Sequence, residues 1–100
     1  MFFTKDNDLK QLKESKNGVR PIVAALKTHV KNPEVCQYAC AAIVNISVAD
    51  NDIKNEITNC GGIGAVIDAM KEHPDNFDVC KCGCAVLGTL SFGNSNPFFF

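Results

Sequence analysis

Cysteine and histidine are the residues of this 100-residue chain whose spacing could support chemistry, because thiolates and imidazoles bind zinc and copper well. Six cysteines are present, and three of them alternate at Cys80, Cys82 and Cys84. On a helix, Cys82 points about 200° away from the other two, so the three thiols cannot converge on one ion. We therefore expect structural thiols, no metal and no other cofactor. A metal- or redox-sensing thiol protein is the alternative.

Patterns that would indicate catalysis are incomplete. The stretch Gly61-Gly62-Ile63-Gly64 opens a predicted helix, as a phosphate loop does, but no Lys-Ser/Thr pair follows it. His29 and His73 fall at predicted helix ends, where imidazoles commonly contact the last carbonyl groups. No serine or cysteine is paired with a histidine at a spacing typical of a nucleophile and its base. The chain is not expected to be an enzyme.

Composition limits the class of partner. Ten basic and eleven acidic residues give a net charge of −1, which provides no electrostatic basis for binding nucleic acid. No apolar run approaches the roughly 20 residues of a membrane-spanning helix, and the start of the chain does not resemble a signal peptide. The paired cysteines lie four apart in apolar stretches, which favours reduced thiols over a disulfide framework. We expect a cytoplasmic protein, with the nucleus as the alternative compartment.

An internal repeat of 44 residues organises the chain as one domain over 1–100. Residues 4–47 align with 48–91 without a gap, and 14 of the 44 positions are identical. Ordinary composition would give roughly three identities by chance. The identities include both paired cysteines, one histidine and two asparagines of each copy. We therefore predict two copies of one structural unit, followed by a Phe-rich tail over 92–100.

Each copy is predicted to form three helices, because its apolar residues recur at helical spacing between Asn, Gly and Pro turns. The first helix of each copy begins at Asp and Asn residues that can cap it. A weaker alternative makes 43–48 and 85–90 β-strands, because both are short and partly β-branched. The predicted helices are 6–16, 19–29 and 33–48 in the first copy, and 50–60, 63–73 and 77–92 in the second.

The residues of the repeat resemble the armadillo family. The stretch over 51–70, with its Cys-Gly-Gly-Ile junction, is similar to the boundary between the first and second helices of an armadillo repeat. The stretch over 35–47 resembles the third helix, including Asn45 near its end. The resemblance implies an all-α, right-handed solenoid of two three-helix repeats, of the kind found in intracellular scaffold proteins. It also implies a concave groove, lined by third helices, that binds proteins.

The chain departs from the importin type of armadillo repeat at the groove. Ala41 and Ala85 occupy the positions where that type carries tryptophan, and Thr89 replaces the second asparagine, so nuclear-import cargo is not the expected ligand. The residues expected to line the groove share one face of the two third helices. They are Gln37, Tyr38, Ala41, Asn45, Lys81, Cys82, Ala85 and Thr89.

The function predicted from the sequence is a non-catalytic protein-protein interaction module that belongs to a longer repeat array. The expected partner is a protein or peptide, not nucleic acid or membrane. Because each unit carries more apolar surface than it can bury alone, the end faces of the stack stay partly apolar. Self-association through these end faces is therefore a further expectation.

Overall fold

The protein is all-helical over the residues that the structure, a computed structural model, describes: 18–48 and 50–91. These residues contain no β-strand, and both 43–47 and 85–90 lie within helices, so the strand alternative is wrong. The helix predicted over 6–16 and the tail over 92–100 lie outside the described residues. The five helices are α1 (Val19–Thr28), α2 (Pro33–Ser47), α3 (Asn51–Asn59), α4 (Gly62–Glu72) and α5 (Phe77–Ser91). Within the described part of the chain, none of them is long and apolar enough to cross a bilayer.

Three helices begin at a polar side chain that satisfies the free N–H groups of the first turn. The side-chain oxygen of Asn32 accepts hydrogen bonds from the backbone N–H groups of Glu34 and Val35 at the start of α2. Asn76 accepts one in the same way at the start of α5, and Asp50 does so at α3. An N-cap of this kind contributes about 1 kcal/mol to helix stability, which explains where these helices start.

The hydrogen-bonded details of the chain recur at the 44-residue spacing of the repeat. Helices α2 and α5 have the same bounds after the shift, and both follow a helix that ends at the same position. The Cys36 thiol donates to the carbonyl of Val30 at 3.3 Å, and the Cys80 thiol donates to that of Pro74 at 3.6 Å. Two serines near the ends of α2 and α5 likewise bond carbonyls four residues earlier. The repeated sequence therefore makes repeated local structure.

The core lies between the first half of the described chain (α1 and α2, 18–48) and the second half (α3 to α5, 50–91), with α2 packed along α5. The helical spacing of apolar residues predicts eleven core residues. Seven of the eleven are buried: Leu26, Ala39, Ile43, Ile46, Val66, Val79 and Leu90. Four others, Ile22, Val35, Met70 and Leu87, are only half-buried. They lie where the other half does not cover them. Ile53 and Ile57 of α3 complete the core at 1% and 0% exposure.

Polar contacts also join the two halves. The Arg20 guanidinium lies 2.8 Å from the Glu56 carboxylate. The His73 imidazole Nε2 lies 2.7 Å from the Val30 carbonyl oxygen and donates to it as Nε2–H. The Lys27 ammonium donates to the Cys60 carbonyl at 3.1 Å, where it satisfies an acceptor at the end of α3. These contacts fix the register in which the apolar faces meet.

Two glycines make the tight turn between α3 and α4 possible. Gly61 has φ of 85°, a left-handed conformation that glycine adopts without steric cost. Gly62 follows it, and a Cβ atom added there would lie 2.7 Å from the backbone carbonyl oxygen of Ile57. The turn thus needs glycine for conformation at one position and for space at the next.

Replacing Gly62 with alanine should lower the free energy of unfolding by about 2 kcal/mol, because the new methyl group must displace the backbone of α3. Gly64→Ala is the matched control. Its added Cβ would meet no atom within 4 Å, so the higher helix propensity of alanine should raise stability by about 0.5 kcal/mol. Urea denaturation followed by circular dichroism measures both changes. Equal effects of the two variants would contradict the close packing at Gly62.

Candidate binding surface on α2 and α5

The eight residues predicted to line a groove lie on α2 and α5, and none of them belongs to the buried core. We call this set the strip. Tyr38, Asn45, Lys81 and Ala85 are exposed, and the other four are half-buried. Tyr38 has 52% of its surface exposed, which makes it one of the large apolar side chains that face solvent. The strip is accessible to a partner.

Burial differences between equivalent positions give the order of the strip residues across the two helices. Gln37 and Ala41 are half-buried, whereas their counterparts Lys81 and Ala85 are exposed. Because the first pair is shielded and the second is not, Gln37 and Ala41 lie on the side of α2 that faces α5. This side of α2 forms one edge of the line where the two helices meet.

The reverse difference holds for the other four residues. Cys82 and Thr89 are half-buried, whereas Tyr38 and Asn45 are exposed. Cys82 and Thr89 therefore lie on the side of α5 that faces α2, in agreement with the effect of Cys82 in raising the pKa of the Cys40 thiol. This burial pattern orders the strip, with Tyr38 and Asn45 on its outer side along α2 and Lys81 and Ala85 on its outer side along α5.

The chemistry of the strip is that of a polar, nearly neutral contact surface. Two amides, one hydroxyl, one phenol and one ammonium group lie among small side chains, and no carboxylate is present among the eight residues. The Lys81 ammonium lies 5.3 Å from the centroid of the Phe77 ring, a distance typical of a cation–π contact. Amides can donate to and accept from a peptide backbone at once, and tyrosine offers an amphipathic anchor.

The cysteines occupy different environments although their sequence positions are equivalent. Cys36 and Cys40 are buried in α2, but Cys80 is half-buried and Cys84 is exposed. The four-residue spacing predicts that Cys84, like Cys40, packs beside the core. This prediction is wrong, because α5 has no further helix over that face within the described residues. All six thiols are free, and the described residues contain no group of three His, Cys, Asp or Glu side chains placed to hold a metal ion.

Burial controls the acidity of the two thiols in α2. Burial, with smaller contributions from Cys82 and Cys36, raises the pKa of the Cys40 thiol from 9.0 to about 12. The pKa of Cys36 is raised by burial and by the nearby Glu72 carboxylate. A thiol with a raised pKa stays protonated and is a poor nucleophile and a poor metal ligand. Both residues therefore act as packing groups.

The sequence does not predict an apolar cavity of about 710 Å³ between α1 and α2. Its walls include Ile22 and Val35, which were expected in the core, and Tyr38 at the edge of the strip. The repeat alignment contains a signal for it. The counterparts of Ile22 and Val35 are Val66 and Val79, both at 0% exposure, so the same surface is covered in the second half of the chain and open in the first.

The chain matches no protein-family model, no curated protein and no solved structure.

Replacing Cys40 with alanine should cost about 1 kcal/mol of unfolding free energy, because it leaves a small cavity among fully buried neighbours. Cys84→Ala makes the same chemical change at the equivalent exposed position and should stay within about 0.5 kcal/mol of the wild type. Thermal and urea unfolding of both variants test this. A larger loss for Cys84→Ala would show that its side chain is covered.

Alkylation should follow the same order. Iodoacetamide reacts with thiolates, so Cys84 should be modified well before Cys40 in the native protein at pH 8, as measured by peptide mass spectrometry. A Cys40 that reacts as fast as Cys84 would contradict the buried environment.

Burial of Cys40 also makes the free energy of unfolding depend on pH. Because the pKa of Cys40 in the folded protein lies above its ordinary value of 9.0, the contribution of the protonated thiol to stability is complete below pH 9. This contribution is lost as pH rises from 9 towards 12, because the thiol of the unfolded chain ionises first.

Proposed function

We propose that the chain is a non-catalytic protein-interaction module that binds a peptide or protein partner along the strip. The proposal keeps the architecture implied by the armadillo resemblance: a right-handed solenoid of two three-helix repeats, within a longer array. The observation that carries it is the recurrence of helix bounds, caps and thiol hydrogen bonds at the 44-residue spacing. Repeats that stack in this way commonly use an extended surface for binding.

The side chains of the strip favour an extended, nearly uncharged peptide as the partner. Gln37 lies on the side of α2 that faces α5, and Asn45 lies on the outer side. Each carries an amide that can bond both the N–H and the carbonyl of a peptide backbone. Tyr38 offers the aromatic anchor between them along the helix. The strip carries one positive charge and no negative charge, so we propose neither nucleic acid nor a strongly charged peptide as the ligand, and no membrane contact.

The buried thiols of α2 do not suit the thiol-sensor alternative. A redox or metal-sensing cysteine needs an accessible thiolate, whereas Cys36 and Cys40 are fully buried. Cys84 is exposed, but the described residues bring no group of three His, Cys, Asp or Glu side chains together to hold a metal ion. Free thiols also suit a reducing compartment, so the proposal places the protein in the cytoplasm or nucleus.

Binding along the strip should depend on Tyr38 and Asn45. Peptides that bind the wild-type chain would be selected from a displayed random library, and their Kd measured by fluorescence anisotropy. The double variant Tyr38→Ala, Asn45→Ala should weaken binding by about tenfold or more, since anchors of this kind hold much of the binding energy. Both residues are exposed, so the helical circular dichroism signal should not change.

The matched control is the double variant Ile67→Ala, Asn55→Ala. It also removes one large exposed apolar side chain and one exposed amide, but on α4 and α3, which carry no strip residue. We expect this control to bind the selected peptides as the wild type does. Equal weakening in both variants, or a library that yields no binder, would contradict the proposed site.

A further inference from the structure

The second half of the chain covers one face of the first, and burial at equivalent positions identifies that face. Val23 is 2% exposed, whereas its counterpart Ile67 is 37% exposed. Cys40 is fully buried, and its counterpart Cys84 is exposed. The same kind of side chain is thus covered in the first half and open in the second. The open copy of this face lies on α4 and α5, and we call it the distal face.

The first half covers the opposite face of the second half. Val66 and Ala69 are both 0% exposed, whereas their counterparts Ile22 and Ala25 are half-buried and line the 710 Å³ cavity. The cavity is therefore the open copy of the surface by which the second half packs on the first. We call it the proximal face. It lies on α1 and α2.

The two open faces are counterparts of the two sides of one internal interface. The distal face carries its own pocket of about 450 Å³, lined by Ile67, Met70, Lys71, Pro74, Cys80 and Leu87. The counterparts of these residues in the first half include Leu26, Cys36 and Ile43, which are all fully buried under the second half. Inside the chain, a surface of the second half covers these three residues. The counterpart of that surface in the first half is the proximal face.

We propose that the proximal face of one chain docks on the distal face of a second copy, in the arrangement that joins the two halves within one chain. The internal interface is the template for this contact, because each open face repeats one of its sides at the 44-residue spacing. The proposal does not depend on the strip as a binding site.

One polar contact of the internal interface can be repeated between chains. His73 donates to the Val30 carbonyl inside the chain, and the counterparts of these residues are His29 and Pro74. His29 is exposed on the first half and Pro74 on the second, so the His29 imidazole of one copy meets the Pro74 carbonyl of the next. Proline keeps its carbonyl acceptor although it has no N–H group.

The ion pairs of the internal interface cannot be repeated. Besides Arg20 and Glu56, the Lys31 ammonium and the Glu72 carboxylate form an ion pair across this interface at 3.4 Å. Gly64 is the counterpart of Arg20, and Thr28 is the counterpart of Glu72. The contact between chains thus has the apolar surface and the histidine bond but lacks both salt bridges. It should form at a higher protein concentration than a contact that keeps them. Because the two faces differ, the contact is heterologous and adds chains head to tail without closing a dimer.

The test is the mass of the full chain in solution, measured by sedimentation equilibrium over a range of concentrations. The average mass of the wild type should rise above 10.8 kDa as concentration increases. Ile67→Glu places a charge on the distal face and Ala25→Glu places one on the proximal face, so each variant alone should remain monomeric. A mixture of the two variants retains one intact face of each kind and should form a complex of one chain of each.

Val48→Glu is the matched control, because it places the same charge at an exposed apolar residue that lines neither face, and it should associate as the wild type does. His29→Ala should weaken association by about fivefold, the loss expected for one hydrogen bond. Circular dichroism checks that each variant keeps its helices.

Three outcomes would overturn the proposal. A wild type that stays monomeric at every concentration shows that these faces do not pair, as would occur if other residues of the same chain cover them. Association of Ala25→Glu or Ile67→Glu alone at wild-type strength shows that like faces pair or that another surface is used. Failure of the mixed variants to form a complex shows that the two faces are not complementary. None of these results depends on peptide binding by the strip.

Discussion

The packing of α2 along α5 is the contact on which the rest of the structure depends. This contact buries Cys40 and Ile43 of α2 and Val86 of α5 completely. Full burial of an Ile or Val side chain contributes about 2 kcal/mol, and several such residues meet here. The strip exists only because this contact holds the two helices side by side, and the open faces exist because it occurs once in the described residues.

Local structure could be predicted from the sequence because it depends on residues that both copies keep. Asn32 and Asn76 cap α2 and α5, and Ser47 and Ser91 each bond the carbonyl four residues earlier. Burial could not be predicted in the same way. Cys40 and Cys84 are identical residues on equivalent helices, yet one is buried and the other exposed. The difference comes from position in the stack, which a repeat alignment treats as equal.

The candidate site shows the same division between what a sequence predicts and what it does not. Positions 38, 41 and 45 share a helix face by spacing alone, so the sequence could predict which residues of α2 lie together on that face. Its order across two helices depends on which side of α2 meets α5, and spacing within one helix does not contain that information. The proximal cavity is harder to predict, because it depends on whether another element covers α1 and α2, and within the described residues none does. Ile22 and Val35 are as apolar as their buried counterparts Val66 and Val79, so the sequence does not distinguish the open position from the covered one.

Departures from the repeat favour the internal interface over the proposed contact with a second copy. Two salt bridges cross the internal interface, one between Arg20 and Glu56 and one between Lys31 and Glu72. A repeated contact would need equivalents of Arg20 and Glu72, but Gly64 and Thr28 occupy those positions. Arg20 is 62% exposed, so its pair with Glu56 adds specificity more than stability. The short link between α2 and α3 also holds the two halves at a high effective concentration. The charges and the covalent link both favour the internal interface. Within the described residues, the proximal and distal faces are the apolar surfaces that the internal interface leaves open.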